Sequence, residues 1–461
     1  MNGQYPPGPA VKFMGLNLLS KFQQKHQLGF LADLAHTYGD IVHITLGSTH
    51  YYFFIHPDHI HQILVEEPHK VNKTRLQKKV TGEFFGNGLV NSDGEYWKQQ
   101  RKLATPAFHT KRIQTYADTM IKHTNNAIQS WQSGRQYDMA REMMKLTLGI
   151  VSETLFGADV HGIEDRVGDV ITVTQEMANR KMAPGITLPN WLPTPRRLTE
   201  LRAIQELRDL IMGIIRSRRE SDEDRGDLLS MLLMAGDEDG NGRMSDEQVY
   251  DEAVTLFVAG YETTANALAW TLYLLSKNPD AQTQLVAEID TVLQGRTPRL
   301  EDLRQLTYTE MVIRESMRIH PPLWSIIREA VEEITVGHFT IPVGSTILFS
   351  PHVTHRDPRW FAEPDRFIPE RFSEGWEKRI PKYAYFPFGA GPRFCIGQSF
   401  AMMEAQLILA MITQRCQLTL VPGQEIVPQP YIAQRPHNGV RMTVRHREPV
   451  NTSLQEPARA I

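Results

Sequence analysis

The stretch Phe386-Pro387-Phe388-Gly389-Ala390-Gly391-Pro392-Arg393-Phe394-Cys395-Ile396-Gly397 limits the folds open to this chain more than any other. An aromatic lead-in runs into a tight Gly-rich turn holding one cysteine, and a helix-like run from Gln398 to Arg415 follows at once. Two glycines before Cys395 and one after it let backbone approach something flat and large with no Cβ in the way. A cysteine at a helix start is expected to have a lowered thiol pKa, because unpaired N–H groups and the helix dipole favour thiolate. A thiolate on a Gly-rich turn is what an axial iron ligand requires. Taken alone, such a cysteine is more simply a packing residue beside a turn.

Other residues change that balance. The pattern Phe388-Gly389-x-Gly391-x-Arg393-x-Cys395-x-Gly397 resembles the haem-binding loop of the cytochrome P450 family of haem-thiolate monooxygenases. Three further signatures stand in that family's order: Ala259-Gly260-Tyr261-Glu262-Thr263-Thr264, Glu315-Ser316-Met317-Arg318 and Pro369-Glu370-Arg371-Phe372. Each is short enough to recur by chance, but four in the correct order are not. The resemblance runs from the Pro-rich start to about Arg445. It implies a mainly α fold with small β-sheets, with haem b between a long helix and the cysteine loop.

A chain of 461 residues could form two or three domains. There is no low-complexity linker, repeat or abrupt composition shift, so a single haem domain over residues 1–461 is expected. The net charge of −3 gives no argument for nucleic acid. Two cysteines, Cys395 and Cys416, make no disulfide framework and fit a reducing compartment; Cys416 is expected to pack. Met1 to Pro9 lacks the basic start and apolar run of a signal peptide. Membrane-bound relatives carry an anchor helix before the Pro-rich hinge, and here the chain starts almost at Pro6-Pro7-Gly8-Pro9. A soluble, cytoplasmic, bacterial-type monomer without a membrane anchor is therefore expected. No flavin module follows the last motif, so electrons should come from a separate ferredoxin, with its reductase, or from a flavodoxin.

Along the chain, Ile41 to Leu46 and Tyr51 to Ile55 flank the turn signal Gly47-Ser48 and predict a hairpin. Asp58 is a natural cap for the short helix after it. His43, His50, His56, His59 and His61 show no metal-ligand spacing. Phe84 to Glu95 is rich in Gly and Asn and predicts a loop. The resemblance places this loop over the distal face of haem, with Leu89 and Val90 near substrate. Trp97 and Arg101 lie four apart on one helix face, two donors suited to an anion. In the family they hold a haem propionate. The same helix carries Lys98 and Lys102, with Lys111 and Arg112 soon after, a candidate docking face for an acidic donor. Pro184 to Pro195 is a Pro-rich apolar connection; packing of a long connection is expected ahead of contact with a membrane surface or the lining of a substrate entrance.

Asp237-Glu238-Asp239-Gly240-Asn241-Gly242 matches the start of a helix-loop-helix calcium site, but its twelfth position is Gln248, not the bidentate Glu. An exposed turn is expected instead. Ser245 can cap a helix running to Asn278-Pro279. Its stretch from Ala253 to Ser276 is apolar enough to consider a membrane span, yet Glu262, several Thr and Asn266 favour a buried central helix. Gly260, Thr263 and Thr264 suggest a local bend, since Thr can bond a carbonyl one turn back. A hydroxyl and a carboxyl beside an opened helix can relay protons. The resemblance makes Thr263 the alcohol and Glu262 the acid that deliver protons while dioxygen is split, with Ala259 above the iron.

Glu315 and Arg318 are neighbours on another helix, ended by Pro321-Pro322. The resemblance pairs them with Arg371 in a buried scaffold network. It also places Leu323, Ile326 and Ile327 at the pocket with Leu89, Val90 and Ala259, and makes Arg328 and Arg393 propionate partners beside Trp97 and Arg101. Phe388 and Gly389 belong to the cofactor loop, with Cys395 as the iron ligand. The implied reaction inserts one atom of O2 into a lipophilic substrate, whether fatty acid, terpenoid or steroid. A peroxide-driven peroxygenase usually lacks the acid–alcohol pair, and a haem sensor or carrier would not need it. A calcium-binding or membrane-spanning protein leaves the four ordered motifs without explanation.

Overall fold

The computed structural model describes residues 5–11, 26–158, 162–182, 192–221, 223–234 and 244–448. The fold is mainly α with several small sheets, as the sequence implies. Its axis is the Asp246–Lys277 helix, capped by a Ser245–Gln248 capping box with Asp246 and Glu247 in the first turn. Every residue from Ala253 to Val258 and from Thr264 to Leu272 is buried, so the apolar run is a core helix. Among the described residues no helix is long and apolar enough to cross a membrane. Thr263 donates to the Ala259 carbonyl at 2.8 Å and Thr264 to that of Gly260 at 3.4 Å. The expected bend does not break the element, which stays helical throughout.

The Met139–Phe156, Pro195–Ser221, Thr307–Ile319 and Gln398–Arg415 helices pack around this axis and share one hydrophobic core. The hairpin forms as expected, with Ile41 opposite Phe54 and Leu46 opposite Thr49. Thr49–Phe54 pairs in parallel with Thr346–Phe349, which pairs antiparallel with Ile326–Ala330. This five-stranded sheet, edged by Val71–Asn72, sets Ile326, Ile327 and Arg328 against the cavity described below.

Three local expectations are corrected. The helix Pro57–His61 is capped by His56, whose Nδ1 accepts from the Asp58 N–H at 3.2 Å, because Asp58 already lies inside the first turn. The loop predicted over 84–95 is shorter, since the flanking helices Arg75–Phe85 and Gly94–Ala104 reach into it. The expected role of Gly391 is incomplete, because the protein itself requires a residue without Cβ there. At φ 65° its missing Cβ would lie 1.9 Å from the Leu64 carbonyl oxygen. Cys416 is buried as expected, its Sγ 3.9 Å from His446 Nδ1. The acidic stretch 237–242 and residues 184–191 of the Pro-rich connection lie outside the described residues, and among the described residues no His, Cys, Asp and Glu cluster could hold a metal ion.

Candidate active site

A cavity of about 600 Å³ lies between the central helix and the cysteine loop. Its walls are largely apolar, and it gathers every pocket residue expected from sequence: Leu89, Val90, Ala259, Leu323, Ile326 and Ile327. Thr263, Glu262, Cys395, Trp97, Arg101, Arg328, Arg393, Phe388 and Gly389 line the same space. Residues separated by some 300 positions thus meet at one site.

The loop delivers Cys395 by backbone geometry. Cys395 N–H donates to the Phe388 carbonyl at 3.0 Å, closing the turn, while Gly389 takes φ 78°. The Sγ opens onto the cavity and is enclosed by protein elsewhere. Burial raises its thiol pKa, against smaller lowering effects of the Gly397 N–H and the Arg101 guanidinium. The lowered pKa expected from a helix start is therefore overturned. The helix begins only at Gln398, and desolvation of a thiolate in this wall outweighs the turn's N–H groups. Cys395 would hold a metal ion as thiolate, since the ion's charge would offset the burial and a coordinating thiol is deprotonated outright.

On the sheet side the wall is strongly cationic. Burial, then repulsion from Arg393, lowers the Arg328 pKa to about 10, and burial also lowers Arg393 to about 10. Arg101 is lowered by desolvation. Lys73, absent from the sequence expectations, is held well below its usual value by burial, Arg328 and Arg393. Lys73, Arg328 and Arg393 gather around the Asp93 carboxylate, which accepts from Arg393 at 2.7 Å and pairs with Lys78. Arg393 also donates to the Ser92 carbonyl at 2.8 Å and lies 3.8 Å above the Trp97 ring. Such a desolvated surplus of positive charge fits a dianionic group, and the two propionates of haem are one. A thiol facing a largely apolar cavity with cations in its lining suits the same group.

Nothing in the sequence around Lys73 or Asp93 marks them. Lys73 follows a two-residue edge strand, and Asp93 stands at a helix N-cap position without capping it, its carboxylate turned to the cations.

On the opposite wall, Glu262 is buried and adjoins Thr263 in sequence. One carboxyl oxygen accepts from the Gln175 amide of the Glu164–Met182 helix, and the other has no partner. Burial pushes its pKa up to about 7, with Arg435 and Gln175 pulling less strongly the other way. Gln175 was not legible as a site residue, since it sits in an ordinary amphipathic helix. Glu315, Arg318 and Arg371 form the expected network away from the cavity. Glu315 and Arg318 have 0% side-chain exposure and are joined at 2.7 and 2.9 Å, with Arg371 Nε at 3.3 Å.

A sequence model of the cytochrome P450 family matches residues 6–440. Cyclooctatin synthase of Streptomyces melanosporofaciens is 38% identical over 410 residues, 88% of either chain. Cyclooctat-9-en-7-ol 5-monooxygenase of the same organism is 38% identical over 401 residues, 87% of this chain and 86% of its own. Pentalenene oxygenase of Streptomyces avermitilis is 32% identical over 405 residues, 88% and 89% of the two chains. The match spans nearly the whole chain and includes both walls of the cavity. This chain belongs to the cytochrome P450 family, and it is a haem-dependent monooxygenase that acts on a lipophilic substrate with O2 and electrons from a redox partner.

Proposed function

We propose that the chain works as one domain in which Cys395 ligates the iron of haem b, and that its substrate is a terpenoid-like polycyclic hydrocarbon or alcohol. The observation that carries the reading is the Cys395 thiol at the floor of an apolar cavity rimmed by Lys73, Arg101, Arg328 and Arg393. The names of the relatives point to pentalenene and a cyclooctatenol, and the apolar lining suits such skeletons better than a charged ligand.

When bound, haem supplies the site at which dioxygen is reduced and split. The chain's own residues do the rest. Trp97, Arg101, Arg328 and Arg393 hold the propionates, and Lys73 adds a fifth donor. Ala259, Leu89, Val90, Leu323, Ile326 and Ile327 confine the substrate by shape. Glu262, with a pKa near 7, both takes and releases a proton at physiological pH, and one of its oxygens makes no hydrogen bond within the protein. The Thr263 hydroxyl, now spent on the Ala259 carbonyl, can turn to pass that proton into the cavity.

The donor is a ferredoxin or flavodoxin docking over the Gly94–Ala104 helix, where Lys98 and Lys102 are exposed and Lys98 pairs with Glu95 at 2.7 Å. The protein acts as a cytoplasmic monomer. The test of the substrate class is a binding screen that follows displacement of iron-bound water. Cyclic terpenoids should give the spectral shift at lower concentration than fatty acids or steroids. A shift from fatty acids alone would overturn the terpenoid assignment.

A further inference from the structure

Leu89 and Val90 reach the cavity from a loop that the central helix holds by two adjacent carboxyl groups. Asp251 Oδ2 accepts from the Asn87 N–H at 2.8 Å, and Glu252 Oε2 accepts from the Leu89 N–H at 3.1 Å. Gly86 and Gly88 allow that approach. A Cβ on Gly86 would lie 1.8 Å from Asp251 Oδ1, and one on Gly88 would lie 2.4 Å from Thr255 Oγ1. Inside the loop, the Asn91 amide holds the Gly86 carbonyl at 2.9 Å, and the Asn91 and Ser92 N–H groups hold that of Gly88. The loop is thus a braced unit, and the carboxyl groups set where it stands on the helix.

Glu252 has 0% exposure, makes this one hydrogen bond, and its other oxygen has no partner. It does not line the cavity, whereas the residue whose amide it holds does. A buried carboxyl with a single partner is a costly anchor, so its value lies in what it orients. We propose that Glu252 is a positioning residue for Leu89, and through it sets which part of a lipophilic substrate is presented to the reacting centre. This rests on reading the cavity as the substrate pocket.

The holoenzyme can be titrated with two iron-binding azoles, imidazole and the larger 4-phenylimidazole. Glu252→Leu should weaken 4-phenylimidazole roughly tenfold, about the worth of one hydrogen bond, and leave imidazole within about twofold. Glu252→Gln keeps an acceptor and should restore the wild-type value. The effect of Leu89→Ala should vanish in the Glu252→Leu background, as expected of residues acting through one another. Equal weakening of both azoles, no weakening, or additive effects of the two substitutions would each overturn the proposal. Amide hydrogen exchange over 86–92 reads the tether without any ligand, and Glu252→Ser serves if Glu252→Leu does not fold. Either variant should exchange faster at Leu89 than wild type, and unchanged exchange also overturns the proposal. A wild-type protein lacking azole spectra would sink the haem reading instead, leaving the exchange result to decide this one.

Discussion

Replacing Glu315 by Ala should destabilise the chain by about 3–5 kcal/mol, the usual cost of stripping one partner from a buried ion pair. Four contacts are lost: two to Arg318 at 2.7 and 2.9 Å, one to the Ile368 N–H at 2.9 Å and one to Arg371 at 3.3 Å. Against a typical stability of about 5–15 kcal/mol this is a large fraction. An isolated buried pair can often be replaced by apolar residues at no cost. Here it cannot, because Arg318 also donates to the carbonyls of His355, Pro364 and Arg366 at 2.9, 2.7 and 3.1 Å. The double replacement Glu315→Leu with Arg318→Met leaves those three carbonyls without partners, at about 1–3 kcal/mol each. It should therefore remain destabilised by roughly 3 kcal/mol or more. Because His355 Nε2 accepts from the Phe386 N–H at 2.9 Å, at the start of the cysteine loop, haem should also be lost faster. Guanidinium unfolding followed by far-ultraviolet circular dichroism measures the loss. A double variant as stable as wild type, or a single variant within about 1 kcal/mol of it, would refute the network's role.

Thr263→Ala should bind substrate normally but release more hydrogen peroxide per electron consumed, and an unchanged product yield would reduce Thr263 to a core residue. Glu262 is raised from 4.5 to about 7 by burial, so folding retains a proton that the unfolded chain gives up. Stability present below about pH 4.5 should fall as pH rises through 7, and Glu262→Gln should flatten that fall by about 3 kcal/mol; parallel pH curves for the two proteins would count against it. Reversing charge at Lys98 and Lys102 together should slow first-electron transfer from a ferredoxin or flavodoxin and weaken its salt dependence. The same rate and slope would move the docking face elsewhere.

What was legible in the sequence was what local spacing dictates. The hairpin follows from two β-rich runs around Gly47-Ser48, and the Gln398–Arg415 helix has the bounds its pattern suggests. Ser245 caps the central helix, and Gln248, the residue that disqualified a calcium loop, completes the capping box. Features set by distant partners were not legible. His56 displaces Asp58 as a cap, Leu64 explains Gly391, and burial overrides the helix start at Cys395. Lys73, Asp93, Gln175 and Glu252 take their importance from contacts across 20 to 300 positions, which no local pattern encodes.

Ligation by the Cys395 thiolate is tested most directly by the spectrum of the reduced, carbon monoxide-bound protein. Thiolate ligation shifts the main haem band far to the red. Wild-type protein should show the shifted band, and Cys395→Ala should lack it while keeping its fold by circular dichroism. The same red-shifted band in Cys395→Ala would contradict the assignment of the iron ligand, and with it the mechanism built on this cavity.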